Sequence, residues 1–258
     1  MMEAPPACAQ CQNGHAELDF SLSMAYQPIV DLTERRVMAY EALVRGPLSQ
    51  PAPSILAQVN SENRYAFDQA CRVKAIELAS KLNLDTCLSI NFLPNAIYQP
   101  ETCIRTTLAA CRRYGILPEQ ILFEITEAEK VEDPAFLTRI ANYYKQIGFR
   151  TAIDDFGAGY AGLSLLANFQ PDFVKLDMEL VRDIHLSPAK QAIVRGMQGV
   201  CGELGIEVIV EGIETREELD WFQERAFRYF QGYLFARPGF ECLPVPDFSC
   251  REPEAMIV

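Results

Sequence analysis

Carboxylate, amide and ammonium side chains recur near the C-terminal ends of otherwise apolar segments in this chain: Glu41, Asn91, Glu124 and Glu127, Asp154 and Asp155, Lys175 and Asp177, Glu211, and Gln231. One such glutamate reads as a satisfied structural residue. Several carboxylates aimed at one place repel and raise one another's pKa values. Bound cations relieve that repulsion, and donors made only of oxygen suit hard ions such as Mg²⁺ or Mn²⁺. The adjacent Asp154 and Asp155 can serve two ions. In a straight strand they face opposite ways. The chain is therefore expected to turn there, with Gly157 and Gly159 permitting it. Two metals about 3.5–4 Å apart form the usual clamp for in-line attack at phosphorus.

Histidine is scarce: the 258 residues include only His15 and His185. A Ser-His-Asp or Cys-His mechanism would need His185, which sits in a plain connection, RDIHLSP. Histidine-cluster metal sites are excluded as well. Any catalysis uses carboxylates, Lys, amides and hard ions.

These residues need a scaffold that brings distant strand ends together. MAYQPIVDL (24–32) and VMAYEALVRG (37–46) read as an antiparallel pair around a Thr-Glu-Arg-Arg turn. A helical stretch with Ile55, Leu56 and Val59 follows, then a helix over about 67–83 whose apolar positions include Phe67, Ala70, Cys71, Val73, Ile76, Leu78 and Ala79. Strands are expected at 87–94, 121–128, 149–157, 172–177, 207–213 and within 227–238. Between them lie helices at about 100–114, from Asp133-Pro134 to Gly148, after the loop GAGYAGLS, from Pro188 to Gly205, and from Thr215 onward. Thr215 and Glu218 form a capping-box pattern. Strand then helix, repeated, means parallel strands joined by crossovers. The fold expected is an α/β protein, a modified TIM (β/α)8 barrel with an antiparallel first strand. An open doubly wound sheet is the competitor, but no G-x-G-x-x-G follows the first strand. Residues 21–248 form the barrel in this reading, with tails at 1–20 and 249–258; the first tail is expected to be flexible.

The net charge of −12 disfavours nucleic acid polymers and anionic membrane surfaces. A phosphate-bearing substrate stays open where a bound cation inverts the local charge. No apolar run approaches the roughly 20 residues of a membrane span. The N-terminal residues lack a secretory signal pattern, so a cytoplasmic location is expected. Of nine cysteines, Cys71, Cys87, Cys103, Cys111 and Cys201 fall in apolar patterns and read as buried thiols of a reducing compartment. Cys8 and Cys11 form a C-x-x-C with His15 close behind, open to a zinc or redox role or to none in a flexible tail.

Seven segments in order, YEALVR (40–45), SINFLP (89–94), FEITE (123–127), AIDDFGAGYAGL (152–163), FVKLD (173–177), VEGIET (210–215) and FQGYLFARP (230–238), resemble the EAL-domain family of cyclic di-GMP phosphodiesterases. The resemblance runs from about residue 24 to 240. It implies hydrolysis of cyclic di-GMP to linear pGpG by a two-metal mechanism with metal-activated water. Glu41, Asn91, Glu124 and Asp154 would hold one ion. Asp154 and Asp155 would hold the second, with Glu211 nearby. Lys175 would position or activate the water, and Glu211 is the other candidate general base. Glu127 would anchor the loop after the fifth strand. Gln27, Arg45 and Gln231 would contact the substrate. Mg²⁺ or Mn²⁺ would support the reaction, and Ca²⁺, with longer and looser coordination, would inhibit it. A lysine beside two cations would have a lowered pKa. A homodimer through the region near the loop after the fifth strand is also implied.

The loop GAGYAGL departs from the family's usual GTGYSSL: Ala158, Ala161 and Gly162 remove hydroxyls. In the family this loop couples the metal site to the dimer interface. Some members have lost catalysis and act as cyclic di-GMP receptors or protein-interaction modules, typically after losing a metal carboxylate or the lysine. This chain keeps Glu41, Asn91, Glu124, Asp154, Asp155, Lys175 and Glu211. The expectation is an active enzyme. The alternatives are a weak or inactive receptor module, or a metal-dependent phosphodiesterase for another substrate class.

Overall fold

A computed structural model describes residues 18–93, 97, 99–126, 134–157 and 162–249. Cys8, Cys11, His15, Glu127 and residues 158–161 of the Gly-rich loop lie outside the described residues, as do nearly all of the two expected tails. Phe20, at the edge of the first tail, has its ring 6.3 Å from that of Phe67.

Strands β1 (Ser23–Asp31) and β2 (Arg36–Arg45) form the expected antiparallel hairpin. Asp31 builds its turn: one carboxylate oxygen accepts the N–H groups of Thr33 at 3.0 Å and Glu34 at 3.1 Å. The other accepts Arg228 Nε and Nη2 at 2.9 and 2.6 Å. The chain continues through α1 (Ala52–Leu56), α2 (Arg64–Lys81), β3 (Cys87–Phe92), α3 (Pro100–Cys103), α4 (Arg105–Tyr114) and β4 (Ile121–Thr126). Then come α5 (Pro134–Ile147), β5 (Arg150–Phe156), α6 (Gly162–Asn168), β6 (Phe173–Leu176), α7 (Met178–Val181) and α8 (Pro188–Leu204). The last elements are β7 (Glu207–Val210), α9 (Arg216–Gln223), β8 (Tyr229–Phe230) and β9 (Gly239–Phe240).

Strands β2 to β8 pair in sequence order, each parallel to the next. β1 closes the ring, antiparallel to both β2 and β8. This is the expected modified barrel. Local signals end the helices as read: Ser187 caps α8, Pro188 opens it, and Gly205 closes it in the left-handed conformation at φ 69°. The Thr215–Glu218 capping box is present at α9.

Two elements differ from expectation. The last strand, expected within 227–238, pairs only over Tyr229–Phe230. The chain turns away at Gly232, where an added side chain would strike the Ile213 carbonyl. β9 then fills the upper half of the seam, pairing with Ala25 and Tyr26 of β1. In α2 the buried face is Phe67, Asp68, Gln69, Arg72, Ala75, Ile76 and Ala79, so polar residues hold positions that an apolar count assigns elsewhere. An Arg72–Asp68 ion pair at 2.7 Å makes that burial tolerable. Of the cysteines, Cys103, Cys111 and Cys201 are buried thiols, whereas Cys71 and Cys87 are only half-buried.

The barrel interior is layered by the two-residue period of the strands. Ile29, Ala39, Leu122, Ala152, Phe173 and Ile209 share one apolar cluster, with Cys87 and Tyr229 against it. Two residues toward the C-terminal mouth from each, or before Ile29 in the reversed β1, stand Gln27, Glu41, Ser89, Glu124, Asp154, Lys175, Glu211 and Gln231. The same periodicity that fills the core thus lifts the polar set into one layer.

Candidate active site

Lys175 stands at the centre of the polar layer and is 1 % exposed. Its Nζ lies 2.7 Å from Glu211 Oε1, 2.9 Å from Glu124 Oε2, 2.9 Å from Asp154 Oδ1 and 3.5 Å from Glu41 Oε2. β6 supplies the lysine, and the carboxylates come from β2, β4, β5 and the residue after β7. Glu41 is fixed from two further sides: Asn91 Nδ2 donates to it at 2.9 Å and Gln231 Nε2 at 2.8 Å. Ser89, opposite Glu41 in the β2–β3 register, donates its hydroxyl to Glu124 Oε1 at 2.6 Å. Sequence reading missed Ser89, although it lies two residues before Asn91 and so faces the same interior.

Asp155 reaches the site by an unusual backbone. The turn expected at the two aspartates is there: Asp155 has a φ of 53° and Gly157 one of 106°, and the β5–β6 register slips between Ile153 and Phe156. Aspartate enters this left-handed region more readily than most non-glycine residues. The slip lets neighbouring aspartates face the same cluster, which a regular strand forbids. Asp154, Asp155 and Glu211 each place an oxygen within 4.8 Å of the other two, as do Glu41, Glu124 and Asp154.

The cluster is strongly acidic, and mutual repulsion and burial displace the pKa values of its members. Burial, then Glu41, pushes the Glu124 carboxyl well above its ordinary value, and Lys175 does not compensate. Burial does the same at Glu211 against the pull of Lys175. Asp155 is pushed up to about 6, by burial first and Asp154 second. Glu41 goes the other way: burial would raise it, but Lys175, Gln231 and Asn91 hold it below its usual range. Lys175 is held well above its ordinary value: burial would lower it, but Asp154, Glu124, Glu211 and Glu41 outweigh that.

These residues suit a pair of hard divalent cations. Every donor is oxygen, including the Asn91 amide. Among the described residues the buried Glu124 Oε2 and Asp154 Oδ1 accept no hydrogen bond of good geometry, and each lies 2.9 Å from the Lys175 ammonium. Orphaned buried acceptors of this kind are costly unless something positive meets them.

A cavity of about 320 Å³ opens above the cluster, lined by Gln27, Glu41, Asp155, Asp177, Glu211 and Gln231 together with Met178, Gly212, Glu214, Gly232 and Tyr233. Gln27 is held there by its own bond to the Ala236 carbonyl at 3.1 Å. Tyr233 is 39 % exposed and carries the Arg237 guanidinium 4.3 Å over its ring. Arg45 does not share this cavity. It lines a separate apolar cleft of about 270 Å³ with Met24, Leu56, Phe67, Asp68 and Asn91, and donates to the Val44 carbonyl at 2.8 Å. Asp177 caps α7, accepting the Glu179 N–H at 2.7 Å.

Comparison with known proteins adds to this geometry. A family model described as "EAL domain" matches residues 16–238. The blue light- and temperature-regulated antirepressor BluF of Escherichia coli K12 is 34% identical over 221 residues, covering 85% of this chain and 55% of its own length. The cyclic di-GMP phosphodiesterase PdeB of Shewanella oneidensis is 30% identical over 226 residues, covering 84% of this chain and 26% of its own. The chain therefore spans between about a quarter and about half the length of these two relatives. A standalone EAL protein of Vibrio cholerae O395, in its c-di-GMP-bound form, superposes with a TM-score of 0.88 at 52% identity, covering 90% of this chain and 99% of that one.

Proposed function

The chain belongs to the EAL domain family, and from that premise we propose that it hydrolyses cyclic di-GMP to linear pGpG with two divalent cations, Mg²⁺ or Mn²⁺. One observation carries the reading: two overlapping oxygen triads, sharing Asp154, stand beside a buried lysine at the mouth of the barrel. Glu41, Asn91, Glu124 and Asp154 would hold one ion, and Asp154, Asp155 and Glu211 the other. When bound, the ions supply the positive charge that lets water attack phosphorus near neutral pH. Gln27 and Gln231 orient the substrate from the cavity wall, and Arg45 meets it from the adjoining cleft. Glu41 is kept anionic by the Lys175 charge and by the hydrogen bonds of Gln231 and Asn91, which also orient it. Lys175 and Glu211, 2.7 Å apart, are the two candidates to position the attacking water and to take its proton. Glu127 would steady the loop after β5.

Among the described residues no helix is long and apolar enough to cross a membrane. Free thiols support a cytoplasmic setting. Leu163, exposed beside the loop after β5, supports a homodimer contact there.

The test is incubation of the purified protein with cyclic di-GMP and each ion, with products separated by chromatography. The expected result is pGpG with Mg²⁺ or Mn²⁺ and inhibition by Ca²⁺. Absence of pGpG with both ions overturns the enzyme. The 34% identity to an antirepressor favours a second reading, a cyclic di-GMP receptor or interaction module. Tight binding without turnover would establish it.

A further inference from the structure

We propose that Glu218 is a positioning residue for the candidate active site, clamping the connection after β7, which carries Glu211, onto the connection after β6, which carries Asp177. The proposal rests on the two-cation reading above for what those connections do. Glu218 does not line the cavity; it sits in the first turn of α9 and is 0 % exposed. In an ordinary capping box the glutamate reaches back to the N-cap N–H of its own helix. Glu218 does this for Thr215 at 3.1 Å, and the same oxygen also accepts the Glu214 N–H at 3.0 Å. Its other oxygen leaves the helix altogether: it accepts the Asp183 N–H at 3.1 Å and Arg182 Nη1 at 3.3 Å.

Asp183 belongs to the segment after β6 and is held at a left-handed φ of 55°. Arg182 closes a second bridge between the two segments, with Nη2 2.9 Å from Glu214 Oε1. The segments form one wall of the cavity, Asp177 and Met178 from the first, Glu211, Gly212 and Glu214 from the second. They are pressed close together: at Gly212, with φ 68°, an added Cβ would lie 2.6 Å from Met178 Cβ. Burial would raise the pKa of Glu218, but the N–H groups of Glu214, Asp183 and Thr215 and the Arg182 charge hold it below its usual range. A buried carboxylate with both oxygens occupied by two separate loops does more than cap a helix. It limits how far Glu211 can swing from Asp154 and Asp155.

Three variants of the full chain separate the roles. Glu218→Gln keeps size but replaces one acceptor by an amide that faces N–H donors. Thr215→Ala removes the helix cap and leaves the clamp. Arg182→Gln, at a side chain 33 % exposed, weakens the clamp with little risk to folding. Mn²⁺ binding is read by electron paramagnetic resonance, melting temperature without metal, and kcat and KM with cyclic di-GMP. Glu218→Gln is expected to weaken Mn²⁺ binding and lower kcat by about 10–100-fold with KM nearly unchanged, the range for residues that orient metal ligands. Arg182→Gln should move the same way by less, and Thr215→Ala should shift only the melting temperature. Wild-type Mn²⁺ binding in Glu218→Gln, or in Arg182→Gln if the first variant fails to fold, overturns the positioning role. A wild type that binds Mn²⁺ but makes no pGpG overturns the reaction alone, since the Mn²⁺ titrations still decide the role of Glu218. A wild type that binds no Mn²⁺ overturns both.

Discussion

Arg72 and Lys175 are both buried to 1 % exposure or less, yet their surroundings are built on opposite terms. Among the described residues Arg72 has one carboxylate, Asp68 at 2.7 Å, and its guanidinium lies over the rings of Phe92 and Phe123 at 5.4 and 5.2 Å. Asp68 in turn accepts the Leu93 N–H at 3.0 Å. Charge there is balanced, and the pair ties α2 to the barrel wall. Lys175 faces four carboxylates, with Asp155 close behind. One ammonium cannot neutralise them, so repulsion persists where Arg72 has none. Balanced burial marks a structural ion pair; an excess of one sign marks a place that binds the other.

Glu124→Gln should sharpen that contrast most. The amide keeps the shape and an acceptor for Ser89 but removes a charge from the repelling set. Turnover is expected to fall by about 10²–10⁴-fold, while the melting temperature without metal holds or rises. A variant that turns over at the wild-type rate breaks the distinction. Arg72→Met should do the reverse. It strands Asp68 in the core at a cost of about 3–5 kcal/mol, read by denaturant unfolding, and leaves the KM of the surviving folded enzyme near wild type. Ser89→Ala removes the 2.6 Å bond that orients Glu124; a loss of about tenfold in activity or Mn²⁺ affinity is expected, with stability changed by no more than about 1–2 kcal/mol.

The smallest effect is the pH dependence of stability. Glu124, Glu211 and Asp155 are raised in the folded state, Asp155 to about 6. The folded protein then keeps protons that the unfolded chain has released. Stability of metal-free protein should fall as pH rises from the ordinary carboxylate range through about 6 and above. Asp31 and Glu218, lowered in the folded state, act oppositely and lose their contribution as pH falls through their folded values. Thermal melts with a chelator, repeated with saturating Mn²⁺, check this: the ion should abolish the loss at higher pH. A chelated protein whose melting temperature climbs through that window would contradict it.

Local patterns carried much of this protein into view. The two-residue period of the strands, proline and glycine at helix ends and the capping box at Thr215 are short-range energies, readable a few residues at a time. Donor chemistry was legible for the same reason: oxygen ligands and scarce histidine exclude whole classes of mechanism. Other features depend on ring closure and register. Lys175 meets Glu41 across 134 residues of chain because six parallel pairings and one antiparallel strand bring β2 and β6 around one mouth. The same closure sends Arg45 to a neighbouring cleft and lets Glu218 grip a loop that is not its own. By itself the sequence determined which elements form and which donors they carry, because those follow from local periodicity and side-chain chemistry. Only the tertiary structure decided which donors meet and how their charges shift, because distance and burial between remote residues are set by the closed barrel.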